Sequence, residues 1–165
     1  IDQLTKLYNR RYLETHLGTI FEEAKQKKDR IVLLTIDIDN FKKINDRPGW
    51  GHSIGDEVLK EVADRIKQCV RDNDLAVRHG GEEFIAVLTN TTVENGTIVA
   101  ERIRKKIADT PIKISVEPYG IDVTVSIGDA VMRHEGDSPE DLINRSDEML
   151  YKAKTTGKNK VVSEE

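Results

Sequence analysis

The stretch Ile31-Val32-Leu33-Leu34-Thr35-Ile36-Asp37-Ile38 decides the fold class. An almost unbroken apolar run of strand length, ending in a charge, predicts a central β-strand covered on both faces. Upstream of it, Leu13, Leu17, Ile20, Phe21 and Ala24 recur at helical spacing and predict a helix over 10–28. Downstream, Asn40 to Ile44 reads as a short helical turn, followed by a loop through Pro48 and Gly49. Ile54, Val58, Leu59, Val62, Ile66 and Val70 form the stripe of a second long helix, with Ser53 as N-cap and Asp56 and Glu57 in its first turn. Residues 75–79 and 84–89 are strand-like around Gly80-Gly81-Glu82-Glu83, a hairpin whose glycines serve positive φ. A third helix fits 92–109, with Ile98, Ile103 and Ile107 turned inward. Residues 112–116 and 121–132 are strand-like, broken by Pro118 and Gly120. Ser138-Pro139-Glu140-Asp141 opens a last helix that runs to about Thr155 and is closed by Gly157, and 160–163 add an edge strand. This order, with strands arriving in hairpin pairs, predicts an α+β sheet layered with helices.

At 165 residues the chain suits one domain and is too short for two of ordinary size. A chain of this length buries roughly 70% of its unfolded surface, so the 37% of hydrophobic residues can build a core without staples. The 26 basic and 30 acidic residues leave a net charge of −4, which argues against a nucleic-acid wrapper and against a disordered acidic tail. The single cysteine, Cys69, excludes a disulfide framework and fits a reducing, cytoplasmic setting. No apolar stretch approaches membrane-span length, so no membrane contact is expected of this domain. The first residue is Ile1 rather than Met, and residues 1–165 are expected to be a single domain of a longer protein.

Three constellations carry chemistry. Strand alternation points Asp37 and Asp39 to one face at the exit of the buried run. Such a pair suits a hard cation with substrate phosphates; otherwise Asp39 caps the next turn and Asp37 pairs with a lysine. Glu82 and Glu83 leave the Gly80-Gly81 turn as adjacent like charges, which repel unless solvated or bound to a cation. Lys152, Lys154, Lys158 and Lys160 cluster around Gly157, where the helix dipole accounts for one or two of them. Carboxylates, a divalent cation and lysines on one sheet edge are the parts of nucleotidyl or phosphoryl transfer. His16 and His79 read as structural or surface residues and His134 precedes a turn, so no zinc site is indicated.

Gly80-Gly81-Glu82-Glu83-Phe84, with Asp37-Ile38-Asp39-Asn40-Phe41-Lys42, resembles the GGDEF family of diguanylate cyclases. The resemblance extends over nearly the whole chain: Asp2 to Arg11 is similar to the opening segment, Gly55-Asp56 to the guanine-site element, and Leu150 to Lys154 with Gly157-Lys158-Asn159 to the closing element. It implies a central five-stranded, mainly antiparallel sheet flanked by helices, related to nucleotide cyclases and polymerase palms with a ferredoxin-like core. It implies condensation of two GTP into cyclic di-GMP with release of two pyrophosphates. Asp37, the Ile38 carbonyl and Glu82 would hold Mg²⁺ or Mn²⁺; Asn45 and Asp56 would read guanine, with His52 lining the same pocket. Lys42, Lys154 and Lys158 would offset phosphate charge, and the amides around Asn40 and Phe41 would cradle the triphosphate. Glu82 is a candidate general base, although metal ligation suits it better.

An aspartate accepts from both N1–H and the exocyclic amine of guanine, a donor pair adenine lacks, so Asp56 favours GTP. Each chain holds one nucleotide and the product needs two, so a two-fold homodimer is required, brought together by a sensor or dimerisation module upstream. Arg71-Asp72-Asn73-Asp74 is similar to the family's Arg-x-x-Asp product-inhibition site, joined by Arg102; without the resemblance, Arg71 and Asp74 would simply close a helix. One departure stands out: the loop from Asn45-Asp46 to Gly51-His52 is two residues longer than the family pattern and carries Trp50, the only tryptophan. A non-catalytic receptor for GTP or cyclic di-GMP is the alternative, but Asp37, Lys42, Glu82, Glu83 and Lys154 are all present. Template-directed extension is disfavoured because no basic groove for a nucleic acid is visible.

Overall fold

The apolar run forms strand β2 (Val32–Ile38) of a computed structural model that describes residues 1–164. Val32, Leu34, Ile36 and Ile38 enter one core, while Ile31 and Leu33 enter a second on the other face. The continuous hydrophobicity is thus the mark of a strand with helices on both sides.

Around β2 lie β1 (Tyr8–Asn9), β3 (Leu75–Arg78), β4 (Glu83–Leu88), β7 (Val125–Val131) and β8 (Val161–Ser163). The six-stranded order is β1-β3-β4-β2-β7-β8. The inner pairs are antiparallel, and the outer pairs β1–β3 and β7–β8 are parallel. The helix-flanked α+β fold is therefore as expected, with six strands in place of five because the two-residue β1 pairs with β3. Helices α3 (Gly51–Cys69) and α4 (Val93–Ala108) cover one face; α1 (Arg10–Lys27) and α5 (Pro139–Thr155) cover the other. The short α2 (Phe41–Asn45) follows β2 directly, and β5 (Ile112–Ile114) and β6 (Glu117–Ile121) make a separate two-stranded ribbon. No helix among the described residues is long and apolar enough to cross a membrane.

Four local expectations are corrected. Helix α3 starts at Gly51, after Trp50, so Ser53 is not its N-cap and Asp56 and Glu57 lie beyond the first turn. Glu57 instead accepts hydrogen bonds from Ser115 N and Oγ, both at 2.9 Å, and so docks the ribbon. Ile98 is 55% exposed, because the buried register of α4 is Gly96, Ala100, Ile103 and Ile107. A residue five positions before Ile103 is about 140° out of that phase. Pro118 and Gly120 lie inside β6 rather than between strands; a two-stranded ribbon has open edges where proline is tolerated. Finally, neither Gly80 nor Gly81 has positive φ. An added Cβ at Gly81 would meet nothing within 4 Å, so glycine there leaves the hairpin tip bare instead of enabling the turn.

Candidate active site

The site is built where β2 ends against α5. Close approach of α5 to β7 depends on Gly128, where an added Cβ would lie 2.2 Å from Ser146 O and Leu150 N. That seating brings Lys154 of α5 to the strand end. Its ammonium lies 2.7 Å from Asp37 Oδ1 and 2.9 Å from Asp39 Oδ1, and donates to the Ile38 carbonyl at 3.3 Å. Asp37 and Asp39 do share a face, but they have different work. Asp39 is 4% exposed and accepts from Thr124 Oγ1 at 2.7 Å, Ser126 Oγ at 2.7 Å and the Asn159 amide at 3.0 Å. Burial pushes its carboxyl up, yet the bonds from Lys154, Thr124 and Ser126 outweigh this and hold it below the ordinary value. It therefore pins the 124–126 and 159 segments together and neither caps α2 nor remains free as a ligand. Asp37 has fewer partners, and burial raises its carboxyl more than Lys154 lowers it.

Glu82, at the exit of the hairpin turn, lies beside the end of β2, where the Ile38 amide donates to Glu82 O at 3.3 Å. Burial, then repulsion from Asp37, raise the Glu82 carboxyl, with Lys154 opposing. Glu83 sits directly opposite Asp37 in the β2–β4 register. Burial, then Asp147 and Asp37, push its carboxyl up to about 7. This edge holds more negative charge than Lys154 can balance, which is the electrostatic condition for a bound cation. Among the described residues no three His, Cys, Asp or Glu side chains gather closely enough to hold a metal on their own. The donor set that fits a hard cation is two carboxylates, Asp37 and Glu82, with the Ile38 carbonyl, whose oxygen already attracts an ammonium.

Next to it, Asn40 takes left-handed backbone angles (φ 58°) and opens α2, and its Oδ1 accepts from Lys158 Nζ at 2.8 Å. Phe41 is buried beneath, and Lys42 projects from the exposed side of α2. Among the described residues Asn45 Oδ1 is buried without a hydrogen-bond partner. Gly55 makes room for it, since an added Cβ there would lie 2.0 Å from that oxygen. His52 and Asp56 are exposed, one turn apart on α3. In the longer loop the Arg47 guanidinium stacks over the Trp50 ring at 4.1 Å, and Trp50 packs against the core. Lys160 bonds the Thr156 carbonyl and Lys152 is exposed, so only Lys154 and Lys158 of the basic cluster reach this edge.

Sequence reasoning missed Arg78. Its guanidinium pairs with Asp2 at 3.3 Å and donates to Gly81 O at 2.9 Å, tying the N-terminal segment to the hairpin tip. The signal was an arginine two residues before Gly80 and an aspartate at the chain start, but nothing local links positions 76 residues apart.

Arg71, Asp74 and Arg102 also come together, lining a pocket of about 250 Å³ at the far end of α3. Arg71 pairs with buried Asp74 at 3.2 Å and donates to Thr91 Oγ1 at 3.0 Å, while Asp74 accepts from the Thr89 amide at 3.1 Å. Arg71 and Arg102 remain exposed.

The family described as "Diguanylate cyclase, GGDEF domain" matches residues 1–160. The chain is 45% identical over 161 residues to the response regulator PleD of Caulobacter vibrioides, covering 98% of this chain and 35% of PleD. It is 42% identical over 164 residues to diguanylate cyclase A of Treponema denticola, covering 97% of this chain and 43% of that protein. The chain thus spans well under half the length of these curated relatives. The GGDEF domain of DgcB from Caulobacter crescentus, solved in complex with c-di-GMP, is similar at TM-score 0.91 and 34% identity, over 98% of this chain and 94% of that one. The active GGEEF domain of a diguanylate cyclase from Vibrio cholerae is similar at TM-score 0.86 and 38% identity, over 96% of this chain and 97% of that one. With the hairpin, the aspartate strand end and the lysine helix all in place, the chain belongs to the diguanylate cyclase GGDEF-domain family.

Proposed function

We propose that this chain is a diguanylate cyclase domain that condenses two GTP into cyclic di-GMP and two pyrophosphates. The observation that carries this reading is the convergence of Asp37, the Ile38 carbonyl and Lys154 at one strand end, with Glu82 beside them at the exit of the hairpin turn. The 3′-oxygen of one GTP forms a bond to the α-phosphorus of the other, the bond to pyrophosphate breaks, and the hydroxyl proton leaves; this happens twice. Asp37, Glu82 and the Ile38 carbonyl would hold Mg²⁺ or Mn²⁺, which when bound lowers the pKa of the hydroxyl and offsets charge on the phosphate oxygens. Lys42, Lys154 and Lys158 offset charge on the triphosphate and on the departing pyrophosphate, and the amides at Asn40 and Phe41 cradle it. The unpartnered Asn45 Oδ1 is an acceptor that a guanine N–H satisfies, and Asp56, with His52 beside it, completes the reading of the base. Glu82 serves as a ligand in preference to a base.

Each domain carries half of the reaction, so two copies face each other with their nucleotides in register. The same reading makes residues 1–165 the catalytic domain of a longer cytoplasmic or membrane-tethered protein, with regulation or dimerisation supplied by another region. Cyclic di-GMP bound at Arg71, Asp74 and Arg102 holds domains in a non-reactive arrangement; the similar DgcB domain, solved in complex with c-di-GMP, supports binding of the product. Incubation with GTP and Mg²⁺, with products separated by chromatography, tests the proposal. Cyclic di-GMP is expected from the wild type and none from Asp37→Asn. Binding without turnover would instead support a receptor, and full activity in Asp37→Asn would refute the site.

A further inference from the structure

A groove of about 490 Å³ runs between α1 and α5 on the face of the sheet that Asp147 and His79 share, and it ends beneath the hairpin. That volume falls within the range of small-molecule sites. Its floor is apolar, made by Leu13 and Leu17 of α1 and Ile143 of α5. Gly18 forms part of the α1 wall, and a Cβ there would meet nothing within 4 Å. Glycine inside a helix weakens it, and no contact among the described residues requires one at position 18. The polar groups are only partly engaged. Asp147 is solvent-accessible and makes no ion pair among the described residues. The one cation on the wall, Arg10, is engaged by Glu14 at 3.0 Å, which leaves Glu140 and Asp147 as uncompensated negative charge. Among the described residues His79 Nδ1 is buried without a hydrogen-bond partner, and burial lowers the imidazole's affinity for a proton.

We propose that this groove binds a small organic cation, a guanidinium or primary ammonium on a short apolar stem. The N–H groups meet the Asp147 carboxylate beside the His79 ring, and the stem lies on Leu13, Leu17 and Ile143. An anion is repelled by the wall, and a neutral alcohol leaves Asp147 without its counter-charge. The groove borders the acidic edge through Asp147 and Glu83, and its binding role does not depend on the cyclase reading.

n-Butylguanidinium is the probe, followed by amide chemical shifts in the free domain, with butyrate and n-butanol as matched controls. Saturable shifts at Gly18, His79 and Ile143 are expected for the guanidinium alone. Asp147→Asn should weaken binding by about tenfold or more, as loss of a charge-assisted bond does. Gly18→Leu fills the groove from an exposed helical position, strengthens α1 and should abolish binding while the domain stays folded. Absence of saturable shifts, equal binding of butyrate, or unchanged binding in either variant would overturn the proposal. The readout is binding rather than turnover, so its outcome is independent of whether the chain makes cyclic di-GMP.

Discussion

Asp37 and Asp39 stand two residues apart and both touch the same ammonium, yet their surroundings make them different acids. Asp39 gains two hydroxyls and a backbone amide in addition to Lys154, while Asp37 keeps an oxygen for a ligand. A similar economy governs Asn45, whose buried acceptor exists only because Gly55 has no side chain. Gly55→Ala should displace Asn45, cost about 1–3 kcal/mol of stability, and raise KM for GTP about tenfold with a smaller effect on kcat; steady-state kinetics beside a urea titration measures both. Asp137 offers a pH test away from the site. Burial pushes its carboxyl up, but bonds from Arg145 at 2.6 and 3.0 Å and from the Arg133 amide at 2.9 Å outweigh this and hold it low. Its protons bind more weakly in the fold than in the unfolded chain, whose ordinary value is 3.8. It therefore adds stability above that pH, which is lost as pH falls through the folded value. Asp137→Asn should be less stable by about 1–3 kcal/mol at neutral pH, and thermal melts should show the deficit shrinking in acid.

Among the elements, α3 sets the separation of sites. Its 19 residues rise about 28 Å, with Asp56 near one end and the Arg71–Asp74 pair just past the other. A buried arginine on this helix does the work of a cap. Arg65 is 7% exposed and donates to the carbonyls of Lys106, Ile107, Thr110 and Pro111 at 2.6–3.3 Å, closing the C-terminus of α4 and the turn after it. Those carbonyls have no intrahelical donor, so the guanidinium satisfies groups that would otherwise lie buried and unpaired. Arg65→Ala should cost about 2–3 kcal/mol in equilibrium denaturation, and Arg65→Lys should recover only part because a single ammonium cannot fork to several carbonyls. None of this shows in the helical pattern, where position 65 reads as one more charge between Val62 and Ile66. Strand β1 was equally invisible: two residues carry no periodicity and become a strand only by pairing with β3.

For the whole molecule, the proposed reaction sets one nucleotide per chain against a two-nucleotide product, which would make association part of catalysis. Specific activity should rise with protein concentration and level off once dimers saturate; activity measured across nanomolar to micromolar protein checks this, and a flat profile would count against it. The hairpin itself is held from two sides. The β3–β4 register fixes its base, and the Asp2–Arg78–Gly81 chain of contacts ties its tip to the entry of the chain.

The pattern of residues alone determined that β2 is central and that helices lie on both faces, and it pointed to Asp37, Glu82 and Lys154 as parts of one candidate site. Those conclusions rest on hydrophobic periodicity and on motifs whose members keep fixed spacing. The fold alone decided that Asp39 is a structural tie, that Ile98 faces out, that Arg65 caps a distant helix and that Gly55 serves Asn45. Each depends on which atoms arrive from positions tens of residues away, and burial and hydrogen bonding are set by that arrival and not by the neighbours in sequence.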